Sequence, residues 1–213
     1  MIKLDIMSDP VCPWCYVGKT NLDRALEANP DHAFVIEWHP FQLNPDLPSE
    51  GVDKRAYLES KFGGRANVDR MHDRLRDVAQ AAGVALDPDK PTRMPNTLNA
   101  HRLIHWAGLE GRQTPVVSAL MRAYWAEGRD IGDVAVLAAI AGEQGLDAAM
   151  IDRLLNSDAD AQDILARDSH ARQRGVTGVP CFIIANQYVV SGAQPPETWA
   201  QVIKELAAQD QAS

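Results

Sequence analysis

The first residues of the chain alternate between apolar and polar side chains. Ile2, Leu4 and Ile6 occupy every second position and so share one face of a predicted β-strand. Asp9-Pro10 ends this strand, and Cys12-Pro13 predicts a helix start, because proline at the first helical position lacks only an N–H that would have no partner. The chain is therefore predicted to begin with a strand that leads directly into a helix.

The predicted helix is followed by a second strand. Leu22, Ala25 and Leu26 form its apolar stripe, Asn29-Pro30-Asp31 breaks it, and residues 34–38 are a β-rich run. A strand–helix–strand unit of this length is right-handed, with parallel strands.

From about Gly51 to Gly175 the pattern becomes helical. Glycines or proline-rich joints separate the predicted helices, which cover residues 57–62, 68–82, 97–106, 115–125, 134–143, 148–155 and 159–174. Asn96 and Asp147 stand where helix N-caps belong. This stretch is predicted to be an all-helical insertion.

Strand patterns return near the C-terminus. Residues 181–184 and 188–190 flank Asn186-Gln187, a predicted hairpin turn, and Pro195-Pro196-Glu197 opens a last helix. The apolar side of that helix consists of Trp199, Val202, Ile203 and Leu206. The fold class is therefore α/β, with residues 1–48 and 176–213 building one sheet and residues 49–175 inserted between them.

Composition narrows the function classes. The 213 residues are 46% hydrophobic, which suffices for a sizeable core, and the net charge of -8 argues against nucleic-acid and anionic-membrane partners. No apolar run approaches the roughly 20 residues that cross a bilayer. The N-terminus lacks the pattern of a secretory signal, so we expect a cytoplasmic location.

Cys12-Pro13-Trp14-Cys15 lies at the predicted junction of strand and helix. Backbone N–H groups without helical partners and the positive end of the helix dipole stabilise a thiolate at Cys12. Cys15 lies one turn further on, where it can attack a mixed disulfide formed by Cys12. We therefore predict a redox-active Cys12–Cys15 disulfide, with Cys12 as nucleophile and Cys15 as resolving thiol.

Half of a zinc site is the alternative for this pair. A structural zinc site requires four ligands, and only Cys181 and six histidines remain as further thiol or imidazole donors. The sequence therefore favours redox chemistry without a bound metal. A cysteine protease lacks any local signature here.

Val179-Pro180 directly precedes the predicted strand 181–184. Proline cannot donate to a central ladder, and a cis bond would provide a tight entry into the strand. Together with the cysteine pair, this loop resembles the thioredoxin superfamily, in which a cis-proline loop faces the C-x-x-C motif. The resemblance implies that Val179 and Pro180 bind substrate, together with Pro13 and Trp14.

The helical insertion makes the chain more similar to DsbA-like proteins, and within them to the FrnE-type subfamily. The stretches that carry this resemblance are SDPVCPWCYVGK at 8–19, PFQLNP at 40–45, NTLNAHRL at 96–103 and SGAQ at 191–194. It implies a thiol–disulfide oxidoreductase acting on a disulfide or thiol substrate, protein or small molecule. In the cytosol, whose glutathione poise is about -220 to -320 mV, we expect the reductase or isomerase direction.

The same superfamily contains kappa-class glutathione transferases and 2-hydroxychromene-2-carboxylate isomerases. These enzymes typically carry serine at the position of Cys12 and bind glutathione, so both cysteines here favour disulfide exchange. By the same resemblance, Ser191, Gly192, Ala193 and Gln194 either hold a glutathione carboxylate or form a plain turn. A non-catalytic zinc-binding or chaperone-like protein is the third alternative.

Three further residues are auxiliary candidates. Cys181 replaces the apolar residue expected after the proline, and is either a buried hydrophobe or an additional thiol near the site. His39 and His101 flank the expected cleft by analogy, and are otherwise packed or surface histidines. The oligomeric state stays open, a homodimer included.

Overall fold

The computed structural model describes residues 1–211. The strands are β1 (Ile2–Ser8), β2 (Phe34–Pro40), β3 (Val52–Asp53), β4 (Arg93–Met94), β5 (Cys181–Ile184) and β6 (Tyr188–Ser191). The helices are α1 (Pro13–Ala28), α2 (Lys54–Phe62), α3 (Arg65–Ala82), α4 (Leu98–Leu109), α5 (Gln113–Arg122), α6 (Val134–Glu143), α7 (Ala148–Leu155), α8 (Ala161–Gln173) and α9 (Pro196–Gln211). A π-helical segment, Ala123–Glu127, continues α5.

The main sheet contains strands from both ends of the chain, in the order β2-β1-β5-β6. β1 and β2 are parallel, with Ile2 opposite Phe34, whereas β5 runs antiparallel to β1 with Leu4 opposite Ile184. The predicted split architecture is therefore confirmed, because the segment between β2 and β5 leaves the sheet and returns to it.

The two faces of the sheet have different apolar cores. Leu4, Ile6 and Phe182 point into the main core, where the Phe182 and Trp199 rings meet edge to face with centroids 4.7 Å apart. On the opposite face Met7 and Cys181 belong to a separate small cluster with Phe41, which follows β2, and Ala171 of α8. The period-two alternation of β1 thus divides its side chains between α1 and α9 on one side and α8 on the other.

The insertion is not wholly helical, which corrects the prediction. β3 and β4 form a two-residue antiparallel ladder in which Val52 faces Met94. Two residues are too short for an alternating pattern to be seen in a sequence. The division at residues 49 and 175 stays a prediction, and α8, which it assigns to the insertion, contacts both β2 and α4.

Capping residues and helix-breaking residues in the sequence predicted most helix ends to within a few residues. The predicted helices 134–143 and 148–155 are confirmed, and the Asp147 side chain accepts a hydrogen bond from the Met150 N–H at 3.0 Å. Asn96 precedes the N-cap Thr97 by one residue, although its side chain accepts from the Leu98 N–H at 3.0 Å. Among the described residues no helix is both long and apolar enough to span a membrane.

The hairpin between β5 and β6 turns one residue earlier than predicted. Its central residues are Ala185 and Asn186, with φ of 52° and 56°, and the Gln187 N–H donates to the Ile184 carbonyl at 2.9 Å. Two consecutive residues with positive φ match the right-handed twist of the flanking strands.

Candidate active site

Cys12 is the N-cap residue of α1. Its backbone is extended, Pro13 is the first helical residue, and the N–H groups of Cys15 and Tyr16 donate to the Cys12 carbonyl at 3.1 and 3.3 Å. The Cys12 side chain therefore lies at the N-terminus of α1, the positive end of its helix dipole, as predicted from the strand–helix junction.

The two cysteines of the motif are buried free thiols, and they lie within the first turn of α1. Burial raises the pKa of Cys15 well above its usual range, and its hydrogen bond to the Cys12 sulfur raises it further. A hydrogen bond from the Asp9 backbone to the Cys15 sulfur acts in the opposite direction. Cys15 is thus held as a thiol beside Cys12, and its ionisation requires a proton acceptor.

The loop before β5 lies against Cys12. The Val179–Pro180 peptide bond is cis, and the Cys12 Sγ lies 3.6 Å from the Val179 carbonyl oxygen. On the other side of the loop, a Cβ added at Gly18 would lie 3.1 Å from the Pro180 Cγ and 3.3 Å from the Ala193 Cα. The absence of a side chain at Gly18 lets α1 approach both loops this closely.

The segment from Ser191 to Gln194 lies behind this loop. The Gly192 N–H donates to the Pro180 carbonyl at 2.9 Å, and the Asn21 side-chain amide donates to the Gln194 carbonyl at 2.9 Å. These bonds tie the segment to α1 and to the cis-proline loop. Its predicted contact with glutathione stays a prediction.

Asp9 is a fully buried carboxylic acid whose charge raises the pKa of Cys15. Its side chain accepts hydrogen bonds from the Leu43 N–H at 2.8 Å, the Thr97 hydroxyl at 3.3 Å and the Val11 N–H at 3.4 Å. Burial raises its pKa to about 7, against the effect of these bonds. The sequence pattern predicts only that Asp9 ends the first strand. A signal for its burial in the site is that it is an acidic residue among apolar ones, three positions before Cys12.

His101 lies behind Asp9 and not along the cleft, which corrects its predicted position. It is buried on α4, its Nε2 lies 3.8 Å from the Asp9 Oδ1, and that nitrogen has no hydrogen-bond partner among the described residues. Burial lowers its pKa to about 4, so the imidazole is neutral at neutral pH. His101 lies on the face of α4 that is turned toward Asp9, the residue directly after β1.

His39 is also not a cleft residue. Its Nε2 lies 2.6 Å from the Asp5 Oδ1, and its Nδ1 lies 3.3 Å from an Arg167 guanidinium nitrogen on α8. In the sheet it is opposite Met7, whose side chain belongs to the cluster on the α8 face. Strand alternation therefore places His39 away from Cys12.

Cys181 packs on that same α8 face, in a cluster with Met7 and Phe41. Burial raises the pKa of its thiol, and a hydrogen bond with Ser191 partly offsets this. It borders a 420 Å³ depression behind the cis-proline loop and not the cleft that contains Cys12. A role as an auxiliary thiol stays a prediction.

A cleft of 750 Å³ opens beside Cys12, between the motif, the cis-proline loop and helices α2 and α3. Leu58, Met71, Leu75 and Trp125 form much of its wall. The Trp125 indole N–H donates to the Pro10 carbonyl at 3.1 Å, which joins the insertion to the loop before Cys12. Trp14, 40% exposed, lies at the rim, so the motif presents its indole to an incoming molecule.

The cysteine pair has no metal-ligand set around it within residues 1–211. In that part of the chain, one group of three carboxylate or imidazole donors lies within 4.8 Å, and it consists of Asp5, Glu37 and His39. The Lys3 Nζ already lies 2.9 Å from each of the two carboxylates. His101 and His105 are four residues apart on α4, but the His105 Nδ1 faces Arg167 at 3.1 Å.

Comparison with known proteins gives a consistent result. The family model described as the DSBA-like thioredoxin domain matches residues 3–204. A crystal structure of a probable DsbA oxidoreductase from Streptomyces coelicolor is 32% identical, with a TM-score of 0.85 over 96% of this chain and 89% of that chain. The uncharacterized protein YwbO of Bacillus subtilis (strain 168) is 27% identical over 206 residues, 96% of each protein.

A more distant structure shares the fold. The cytosolic disulfide reductase DsbM from Pseudomonas aeruginosa, solved with GSH, is 19% identical and has a TM-score of 0.68 over 97% of this chain and 99% of that chain. In both sequence and structure the similarity extends over nearly the whole chain, including the insertion.

Proposed function

Since the chain belongs to the family of DSBA-like thioredoxin domains, we propose that it catalyses thiol–disulfide exchange through Cys12 and Cys15, in the reductase or isomerase direction. The observation that carries this proposal is the position of the Cys12 Sγ, at the N-terminus of α1 and 3.6 Å from the Val179 carbonyl oxygen. At this end of a helix the dipole favours a negatively charged attacking group, and the loop offers the Val179 carbonyl to the chain of a substrate.

In the first step the Cys12 thiolate attacks one sulfur of a substrate disulfide. The substrate S–S bond breaks, a mixed disulfide with Cys12 forms, and the second substrate sulfur leaves as a thiolate that takes a proton from water. The exposed Trp14 and the Val179 carbonyl border the space in which the substrate sulfur must lie.

In the second step Cys15 attacks the Cys12 sulfur and releases the substrate as a thiol. The buried Cys15 must lose its proton first, and we assign Asp9 as the acceptor because it is the buried carboxylate beside this thiol. A pKa of about 7 lets Asp9 accept and release protons near neutral pH. The products are a reduced substrate and a Cys12–Cys15 disulfide, which an external thiol reductant must reduce.

Insulin reduction tests the proposal. The wild-type protein should reduce insulin at the expense of a small thiol, Cys12→Ser should be inactive, and Cys15→Ala should accumulate mixed disulfides that gels show without reductant. Cys181→Ala is the matched control, because it removes the third thiol on the other face of the sheet. Full activity of Cys12→Ser would overturn the proposal.

A glutathione-dependent transferase or isomerase is the second candidate. The observation in its favour is the segment 191–194, which hydrogen bonds hold beside α1 and the cis-proline loop. This candidate predicts that Cys12→Ser keeps its activity and that glutathione binds with the affinity of the wild type. Calorimetric titration of both proteins with glutathione separates the two functions.

A further inference from the structure

The cleft beside Cys12 has a charge opposite to that of the whole protein. The chain carries 29 Asp and Glu against 21 Lys and Arg. Yet the residues that line the cleft include Lys54, Lys61, Arg70 and Arg74, and no aspartate or glutamate. A wall with one sign of charge raises the local concentration of ligands with the opposite sign.

The cations at the rim keep their charge available. Lys61 donates to the Asn44 Oδ1 at 2.9 Å and to the Tyr57 hydroxyl at 3.1 Å, both of which are neutral acceptors. Arg70 donates to the neutral Asn67 Oδ1, and Arg74 has no ion-pair partner within residues 1–211.

Elsewhere on α3 the arginines are paired. Arg76 contacts the Asp73 carboxylate at 2.7 Å, and Arg65 lies 3.7 Å from the Asp69 carboxylate. Neither of these arginines lines the cleft. Helix α3 therefore pairs its outward cations with aspartates and leaves those along the cleft without a carboxylate.

Lys54 places a further cation inside the cleft. The residue is 3% exposed, its Nζ donates to the Pro88 carbonyl, and the Nζ lies 5.4 Å from the centre of the Trp125 ring. An ammonium group has three N–H donors, and the described residues provide a hydrogen-bond acceptor for one. The ammonium group therefore keeps donors that no described acceptor satisfies, next to the apolar wall of the cleft.

The pKa of Lys54 agrees with that arrangement. Burial lowers it to about 8, an effect that the charges of Asp89 and Asp87 oppose and that of Arg55 supports. A bound carboxylate would raise the pKa again, because it favours the charged amine.

The size and the walls of the cleft define the rest of the ligand. A volume of 750 Å³ holds a drug-sized molecule, and the apolar side chains of Leu58, Met71 and Leu75 contact its body. Because Lys54 is almost fully buried, a small free carboxylate can reach it more readily than a side chain on a folded protein surface.

Resting on the exchange chemistry proposed above, we infer that the cleft binds low-molecular-weight disulfides whose apolar body carries a carboxylate. The carboxylate lies against Lys54 and the rim cations, the apolar body lies against Leu58 and Leu75, and the disulfide faces Cys12. Cys12 breaks this disulfide as described, and electrons come from the external thiol reductant.

Single-turnover kinetics of the reduced protein test this assignment. The probes are 5,5′-dithiobis(2-nitrobenzoate), an aromatic dianion, and 4,4′-dithiodipyridine, an aromatic disulfide without charge. Arg74→Gln should lower the rate constant for the dianion about fivefold and leave that for the neutral probe within about twofold. Lys61→Gln should change the two rate constants in the same way. In the wild type, raising the salt concentration from about 50 to 500 mM should lower the rate constant for the dianion and leave that for the neutral probe unchanged.

Arg65→Gln is the matched control, since it removes one positive charge from α3 outside the cleft and should change neither rate constant. Lys54→Gln should slow the dianion more than Arg74→Gln does, and if it fails to fold, the rim variants decide. Equal losses for both probes, or no loss, would overturn the assignment. A wild-type protein that reacts with none of these disulfides would instead refute the exchange function.

Discussion

Replacing Asp9 by asparagine should remove a pH dependence of stability. Burial raises the pKa of Asp9 from its usual 3.8 to about 7 in the folded protein. Between these two values the folded state binds a proton that the unfolded state has lost, so the free energy of unfolding falls as pH rises. The loss of stability caused by ionising the buried Asp9 is absent well below pH 4 and complete above about pH 7.

The pKa values fix the magnitude. Ionising Asp9 completely lowers the free energy of unfolding by about 4 kcal/mol. About 1–2 kcal/mol of this loss is already present at pH 5, so a further loss of about 2–3 kcal/mol occurs between pH 5 and pH 8. Asp168, whose charge contributes to the raised pKa, and Cys15 face the same site in both proteins. His101, with a pKa of about 4, is neutral throughout this range.

Urea unfolding with both cysteines kept reduced measures the effect. The stability difference between the wild type and Asp9→Asn should shift by about 2–3 kcal/mol in favour of the variant from pH 5 to pH 8. A constant packing difference cancels in this comparison. Asp147→Asn is the control, because it removes an exposed carboxylate and keeps the N-cap acceptor. A difference for Asp9→Asn that stays constant with pH would refute the raised pKa.

Three further substitutions test the geometry. Gly18→Ala should lower stability, because the new Cβ would be crowded by both Pro180 and the Ala193 backbone, so that an overpacking cost of about 2–3 kcal/mol exceeds a helix-propensity gain of about 1 kcal/mol; a higher urea midpoint would contradict this. His39→Gln should leave insulin reduction within about twofold of the wild type, since His39 lies on the α8 face; a tenfold loss would place it in the site. Ala185→Gly should stabilise the protein by about 1 kcal/mol by relieving a φ of 52°, whereas Ala166→Gly in α8 should cost about the same; unfolding curves with equal midpoints would argue against this strain.

Local pattern accounts for most of the fold. The alternation in β1, the proline after Cys12 and the N-cap at Asp147 depend on neighbours within one or two turns, and the structure agrees with each. The hairpin turn lies one residue earlier than predicted. Its first central residue, Ala185, has a positive φ, a conformation that an alanine in a sequence does not indicate. The FrnE-type subfamily and the cytoplasmic location stay predictions.

The sequence by itself determined the strand–helix junction that carries Cys12. It also determined that both ends of the chain build one sheet, with the helical segment inserted between them. Only the tertiary structure decided that Asp9 is buried beside Cys15, that His39 faces away, and that the cations of α2 and α3 line one cleft. The physical reason is the range of the interactions. Helix capping and strand alternation act over a few residues, whereas Asp9 is enclosed by Leu43 and Thr97, which lie far along the chain and meet it only when the insertion packs against the sheet.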